Sequence, residues 1–361
     1  MYWKIFLPLY LIMFLIVGCN SNLSKQSNTV KANQIKIPFV LLVENPSKGQ
    51  NGTDKAMVCW FDSSSGKVAI EKNSLFERIT NGEVNFRMVW NGGENVLLKA
   101  TPFRGSSLSM SSFNSDYNIK ELKMNQSRDP MVIKISDKLT TVYNEKNQIV
   151  VERDNGKTRK ISLPESHKAI ITCPMLIFGD DKNYQILVTF NTFSTETKGL
   201  CVGKLLLATV TDTGVNWKEV SGEYCSFIAD AGSSVAKSGN QIFITACGEV
   251  KVLDLNKEKL ILENYKPIND VLSGIKGKFS EFPMDPVFGV YKDYLLVTTQ
   301  SLYEKWLWFF NQGNYVGRVL IDANNCRIES SLNGQTSSES LPGKPTYDTI
   351  QLPMELYGSS K

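Results

Sequence analysis

The feature that most constrains this chain is a phrase that returns along its length. In its fullest form it runs Gly239-Asn240-Gln241-Ile242-Phe243-Ile244-Thr245-Ala246-Cys247-Gly248-Glu249-Val250-Lys251-Val252-Leu253-Asp254-Leu255. It reads as a polar turn, an apolar strand, a tight Cys-Gly-Glu reversal and a second, alternating strand. The turn-then-strand half occurs at 54–60, 92–98, 136–142, 182–188 and 292–298. Successive turns lie roughly 40 to 57 residues apart, the spacing of four-stranded propeller blades and longer than that of most helical repeats.

A hairpin follows in most repeats. Ile149 to Glu152 turns at Asp154-Asn155-Gly156, Leu205 to Thr209 at Asp212-Thr213-Gly214, and Trp306 to Phe310 at Asn311-Gln312-Gly313-Asn314. Asx-Gly chemistry at these points supplies the positive φ that hairpin turns need. Several strands are apolar on both parities, including Phe39 to Val43, Met175 to Phe178 and the Trp306 run. Such a strand must be covered on both faces, and blades stacked against one another provide that without helices.

The expected fold is therefore all-β: a β-propeller of six to seven four-stranded antiparallel blades over residues 35–361, with a two-sheet sandwich as the rival. Short helices are predicted only around Leu75 to Thr80 and Asn269 to Ile275. Either Tyr347 to Leu352 or Ile35 to Val43 is expected to join the two ends of the ring.

Residues 1–34 read differently. Lys4 is followed by an apolar run, Ile5 to Val17, broken only by Pro8. The run is short of the ~20 residues that span a bilayer and fits the apolar stretch of a secretory signal. It ends in Leu15-Ile16-Val17-Gly18-Cys19, which resembles the bacterial lipobox. That resemblance implies a signal peptide over 1–18, a diacylglycerol on the Cys19 thiol, cleavage before Cys19, and an amino group open to acylation. Two or three acyl chains on one residue anchor stably, where one is marginal. Residues 20–34 are polar and read as a flexible tether. The expected location is thus extracytoplasmic, lipid-anchored to the cell membrane or the outer membrane. Asn20 is not the Asp associated with inner-membrane retention.

The formal charge is +4, and removing residues 1–18 takes away only Lys4. A balance so near neutrality, evenly spread, excludes nucleic acid as an expected partner. Besides Cys19 there are Cys59, Cys173, Cys201, Cys225, Cys247 and Cys326, and six cysteines allow 15 pairings. Cys201 and Cys225 lie equally far from Thr213 in the hairpin turning there. In an unbroken register they face each other at a separation that suits a disulfide, and a bulge would break that register. Cys59 and Cys247 sit within apolar strands and read as buried thiols.

Motifs for chemistry are sparse. His167 is the single histidine, in a polar loop, and there is no Gly-x-Ser-x-Gly elbow. Without Cys-x-x-Cys or a second histidine no metal site is expected, and no cofactor either, since Gly-rich phosphate loops are missing. Gly179-Asp180-Asp181 lacks the further carboxylates of a calcium loop and reads as a turn.

Thr211-Asp212-Thr213-Gly214-Val215-Asn216-Trp217 resembles the Asp-box of sialidase-like propellers, which implies a folding device remote from any active site. It lacks the Ser two residues before Asp212 and has Asn216 where Thr is usual. Gly248 to Leu255 resembles a blade of quinoprotein-like propellers, which include outer-membrane assembly lipoproteins acting as scaffolds.

The expected role is a tethered binding or scaffold propeller that recognises a protein or a glycan through its loops. The contact loops are 102–108, 194–199 and 279–286, with Arg104, Glu281, Phe282 and Asp285 as candidate binding residues. The alternative is a glycoside hydrolase or lyase using paired carboxylates such as Glu281 and Asp285.

Overall fold

The computed structural model describes residues 35–44, 53–70, 76–79, 85–90, 95–100, 107–113, 120–125, 132–135, 139–145, 148–153, 156–164, 171–180, 182–193, 200–227, 235–246, 249–276, 286–300 and 304–355. They form six sheets taken in chain order, built almost wholly of antiparallel neighbours, with sheets 3, 4, 5 and 6 each an up-and-down meander.

Sheet 1 holds β1 (Lys36–Glu44), β2 (Thr53–Asp62), β3 (Val68–Ile70) and β4 (Phe76–Ile79). Sheet 2 holds β5 (Asn85–Trp90), β6 (Asn95–Ala100), β7 (Ser107–Phe113) and β8 (Lys120–Asn125). Sheet 3 holds β9 (Val132–Ile135), β10 (Leu139–Glu145), β11 (Gln148–Arg153) and β12 (Thr158–Ser162). Sheet 4 holds β13 (Ile171–Gly179), β14 (Tyr184–Phe193), β15 (Leu200–Thr211) and β16 (Gly214–Phe227). Sheet 5 holds β17 (Val235–Ser238), β18 (Gln241–Ala246), β19 (Glu249–Asp254) and β20 (Leu262–Asn264), followed by helix α1 (Lys266–Lys276). Sheet 6 holds β21 (Val287–Tyr291), β22 (Tyr294–Gln300), β23 (Glu304–Asn311), β24 (Asn314–Asp322), β25 (Arg327–Leu332) and β26 (Gln335–Ser340). Two last strands, β27 (Pro345–Gln351) and β28 (Pro353–Glu355), return to the start of the chain.

The repeated phrase falls on the second strand of every sheet in chain order: β2, β6, β10, β14, β18 and β22. The demand for cover on both faces is met between sheets. In β23, Leu307 and Phe309 join the core shared with sheet 1, while Trp306, Trp308 and Phe310 join the core shared with sheet 5. In β14, Leu187 packs toward sheet 5, and Ile186 and Val188 pack toward sheet 3. Each fully buried apolar side chain of this size contributes about 1.5–3 kcal/mol. Among the described residues, apolar cores lie between sheets 3 and 4, 4 and 5, 5 and 6, and 6 and 1, and this layering of successive sheets makes the fold a β-propeller.

The last strands replace the seventh blade. β25 and β26 lengthen sheet 6, and β27 pairs with β1 (Leu41 opposite Ile350), giving the order β27-β1-β2-β3. The C-terminal segment thus supplies the inner strand of the N-terminal sheet, as expected of residues 347–352. β28 then pairs with β5 in parallel and packs beside β21 and β17, carrying the chain across the middle of the ring. Sheets 1, 2 and 6 accordingly hold more strands than the expected four.

Neighbouring sheets meet by a common device: the outer part of one sheet receives a turn of the next. Arg159 Nη2 on β12 donates to the carbonyl of Thr211 at the β15–β16 turn, 2.7 Å. Ser221 N on β16 donates to Leu260 O before β20, 2.9 Å, where Gly222 leaves room for the Leu262 backbone. Tyr265 Oη lies over Gly313 in the β23–β24 turn, and a Cβ on Gly313 would stand 2.6 Å from it. Between sheets 6 and 1, a Cβ on Gly66 would collide with Leu332, and one on Gly317 would stand 2.8 Å from Phe61 Cζ. That room lets Phe61 stack on Phe309 with ring centroids 4.1 Å apart.

Two helix expectations separate. The predicted helix at 269–275 is present as α1. It begins earlier because Pro267 is tolerated in a first turn, and Asn269 pins it to β19 through the Val250 N–H and carbonyl, 2.8 and 2.9 Å. The predicted helix at 75–80 is not one: Phe76–Ile79 is strand β4, paired with Thr53–Ala56. β2 outruns β3, and its free backbone groups need a partner.

Candidate functional site

The structure makes a groove where the two ends of the ring meet. One wall is the β2–β3 hairpin of sheet 1, and the other is the end of β26 with Leu341 and Pro342. Its volume is about 770 Å³, within the size range of ligand sites. Met57, Trp60 and Val68 are almost wholly buried around it, with Ile70 beside them. Lys36, Asp62, Lys67 and Glu339 stand around its rim.

The alternation of β2 and β3 puts apolar residues at this seam, and the meander places Lys36 and Lys67 at the same end of sheet 1. Asp62 serves the turn itself. Its Oδ1 accepts from Ser64 N (2.8 Å), Ser64 Oγ (2.6 Å) and Ser65 N (3.2 Å), which holds the β2–β3 reversal in shape. Lys36, Lys67 and Glu339 are therefore the rim charges left to meet a ligand.

The second wall exists because sheet 6 continues past its fourth strand. β25 alternates buried Ile328, Ser330 and Leu332 with more exposed residues, and the Asn333-Gly334 turn, with φ of 49° and 82°, returns the chain along β26. Positive φ at both central positions is the hairpin geometry that Asn-Gly favours. By composition, residues 329–340 read only as a polar stretch. Period-2 alternation in 327–332, followed by Asn-Gly, is the signal there for a hairpin.

The groove presents an apolar floor with charges at its rim. Cys59, a free thiol beside this seam, is fully buried, and burial pushes it well above its ordinary range, so it is no nucleophile. No cluster of three or more His, Cys, Asp or Glu occurs among the described residues.

The residues singled out from sequence fare unevenly. Cys19, Arg104, His167, Glu281, Phe282 and Asp285 lie outside the described residues. The strand ends that bracket the three expected contact loops are described, namely β6 and β7, β14 and β15, and the start of β21. The loops themselves lie outside the described residues, apart from Ser107, Leu108 and Pro286. The symmetric register expected for Cys201 and Cys225 is corrected: Cys201 pairs with Ser226, and Cys225 with Val202. The turn is the pair Asp212-Thr213, with Thr211 opposite Gly214, and a bulge between Gly203 and Leu205 shifts the ladder by two residues, so the two cysteines are offset by one position from the direct opposition expected of them.

Asp180 caps a plain turn through Lys182 N at 2.8 Å. In the Asp-box-like turn Thr211 Oγ1 donates to Gly214 O (3.3 Å), Asp212 is exposed, and Trp217 packs on the core between sheets 3 and 4. That is a folding role.

Neither a family model nor a curated protein matches the sequence. Similar solved structures include TolB from Acinetobacter baumannii, at 9% identity over 83% of this chain and 65% of that one, TM-score 0.43. The β-propeller domain of the Trilobed protease from Pyrococcus furiosus matches at 10% over 83% of this chain and 97% of that one, TM-score 0.38. A Trypanosoma rangeli sialidase matches at 12% over 74% and 55%, TM-score 0.37. This chain thus spans less than two thirds of the TolB chain. Likeness this distant says nothing of function, and the propeller assignment stands on the sheet order and the shared cores.

Proposed function

We propose that this protein is an extracytoplasmic lipoprotein, held to a membrane through Cys19, whose propeller is a scaffold that binds another protein. The observation that carries the binding role is the groove between β26 and the β2–β3 hairpin, with its apolar floor and its rim of Lys36, Lys67 and Glu339. The lipobox-like Leu15-Ile16-Val17-Gly18-Cys19 supports the anchor. The propeller body begins at Ile35, beside Lys36 on the groove rim.

The glycan-cleaving alternative rests on Glu281 and Asp285, outside the described residues, and no described feature favours it.

Two measurements test the proposal. Radiolabelled palmitate should enter the wild-type protein and not Cys19→Ala. An intact precursor mass from the wild type would refute the anchor. A photo-crosslinking amino acid at Ala69, in the groove, should yield a discrete adduct in intact cells that Lys67→Glu with Glu339→Lys abolishes. The same adduct persisting in that double variant would refute the groove as the binding surface.

A further inference from the structure

The outermost strand of sheet 6, β26, differs from the other outer edges of the described sheets. An exposed strand edge is a template for pairing with another strand, and chains guard such edges with short strands, bulges or basic side chains. Strands β3 and β20 have three residues each, β4 carries Arg78, β8 carries Lys120 and Lys123, β12 carries Arg159 and Lys160, and β16 has both Lys218 and a bulge. None of these devices protects β26. Gln335–Ser340 is six residues long, unbroken in register against β25, and exposed except for half-buried Ser337.

One bond shows which backbone groups β26 leaves open. Leu341 N donates to Cys326 O at 2.8 Å, so 326 and 341 form a hydrogen-bonded pair, and such pairs alternate along an antiparallel ladder. Counting back from there, Glu339, Ser337 and Gln335 turn their N–H and C=O toward β25, while Ser340, Ser338 and Thr336 turn theirs outward. Three open rungs, about 7 Å apart, match the repeat of another extended backbone.

The side chains decide which strand fits. Ser337 Oγ meets Ser330 Oγ at 2.7 Å, and Ile328 and Leu332, on the same side of β25 as Ser330, belong to the core shared with sheet 1. Gln335, Ser337 and Glu339 therefore lie on the side toward sheet 1, and so would the residues of an added strand opposite them. Glu339 and Ser340 already border the groove, whose floor holds Met57, Trp60 and Val68. Taking the groove as the binding surface, we propose that the partner protein contributes an extended segment of alternating apolar and polar residues. It adds to β26 as a seventh strand of sheet 6, with its apolar side chains in the groove. A second copy of β26 does not meet this requirement, since Gln-Thr-Ser-Ser-Glu-Ser offers no apolar residue.

Main-chain bonds give strand addition its affinity and side-chain pockets its specificity, so a plain alternating peptide serves as the probe. Full-length protein in detergent is titrated with acetyl-Lys-Val-Thr-Val-Thr-Val-Lys-amide, and amide hydrogen exchange is followed residue by residue by NMR. At saturation, exchange at Thr336, Ser338 and Ser340 should slow at least about 10-fold, with Ser337 and Glu339 little changed. Ser338→Pro removes an outward N–H and no bond to β25, a place where an edge strand tolerates proline, so it should unfold at the wild-type temperature and lose the protection at Thr336 and Ser340. The same peptide N-methylated at its central Val and both flanking Thr should not bind the wild type. Four results overturn the inference: the peptide protects none of the three amides, the N-methylated peptide protects them equally, Ser338→Pro is protected as the wild type is, or the amides are already protected in a dimer seen by sedimentation. The Ala69 cross-link separates the two readings. An adduct that survives Ser338→Pro leaves the groove standing and removes β26 from it, whereas no adduct from the wild type removes the groove and this inference with it.

Discussion

Removing the Phe61 ring should open the seam that joins the two ends of the ring before it unfolds the rest. Phe61 is wholly buried and stacks on Phe309 at 4.1 Å, with Gly317 beneath it. Phe→Ala in a core costs about 3–5 kcal/mol, and an aromatic pair of this geometry adds about 0.5–1.5 kcal/mol of coupling. The upper half of the first range is expected, because a sheet backbone lies on one side of the cavity and has little freedom to collapse into it. Equilibrium urea unfolding of Phe61→Ala, Phe309→Ala and the double variant gives the coupling directly. The local readout is Cys59, two residues from Phe61 and buried in the same core. If the seam opens as a unit, a loss of about 3 kcal/mol raises the rate of Cys59 alkylation about 100-fold, read by peptide mass mapping. A Phe61→Ala cost below about 1 kcal/mol, or additive costs with no change at Cys59, would refute the view that this stack holds the ring ends together.

Other outcomes follow from single features. Gly66→Ala should destabilise more than Gly334→Ala in thermal unfolding: both positions have positive φ, but only Gly66 has a neighbouring side chain, Leu332, where the new methyl would sit. At Asp322, burial acts to raise the carboxyl, and hydrogen bonds from Asn325 and Asn324 together with the Arg327 charge outweigh it, leaving the group below its ordinary range. Asp322 therefore adds stability above the unfolded carboxylate value that fades as pH falls through the lower folded one. Urea midpoints of wild type and Asp322→Asn should differ at pH 6 and converge toward pH 2. Native protein should show Cys326 alkylated faster than Cys59, since Cys326 is half-buried and Cys59 is not exposed at all.

Much of the body is legible in the residues alone. The turn-and-strand phrase marks the second strand of all six sheets, because a polar turn followed by a two-sided apolar run has few other uses. The alternating faces of β23 show why the runs are apolar on both parities. Pairing at a distance is not legible in the same way. β27 finds β1 across nearly the whole chain, and the sequence offers two candidate closing segments with no local mark of partnership. The Cys201–Cys225 register is misjudged for a related reason: a symmetric residue count about Thr213 assumes both an odd-length turn and an unbroken ladder, and the chain has a two-residue turn and a bulge at Gly203–Leu205. The helix expected at 75–80 fails because short apolar runs do not separate helix from strand, and the length of β2 decides it. The groove escapes a sequence reading because its second wall looks like a polar tail.

That groove follows from how the seams differ. At the junction of sheets 5 and 6, Tyr265 lies over Gly313, edge-on to Phe243 at 5.0 Å, and α1 adds Ile268 and Leu272 to the shared core. At the junction of sheets 4 and 5, the backbone near Ser221 and Ile261 makes direct contact, and the recess left beside it is smaller, about 290 Å³. Sheets 5 and 6 follow one another along the chain, and the segment that connects them carries α1 into their seam. Sheets 6 and 1 have no such connection: the chain leaves β26 and goes inward to β27. The outer part of that seam is filled only as far as Phe61, Gly66 and Leu332 reach, and beyond them a recess stays open beside Trp60 and Ile70. The larger of the two recesses described at these seams thus lies where the chain supplies no direct connection between neighbouring sheets.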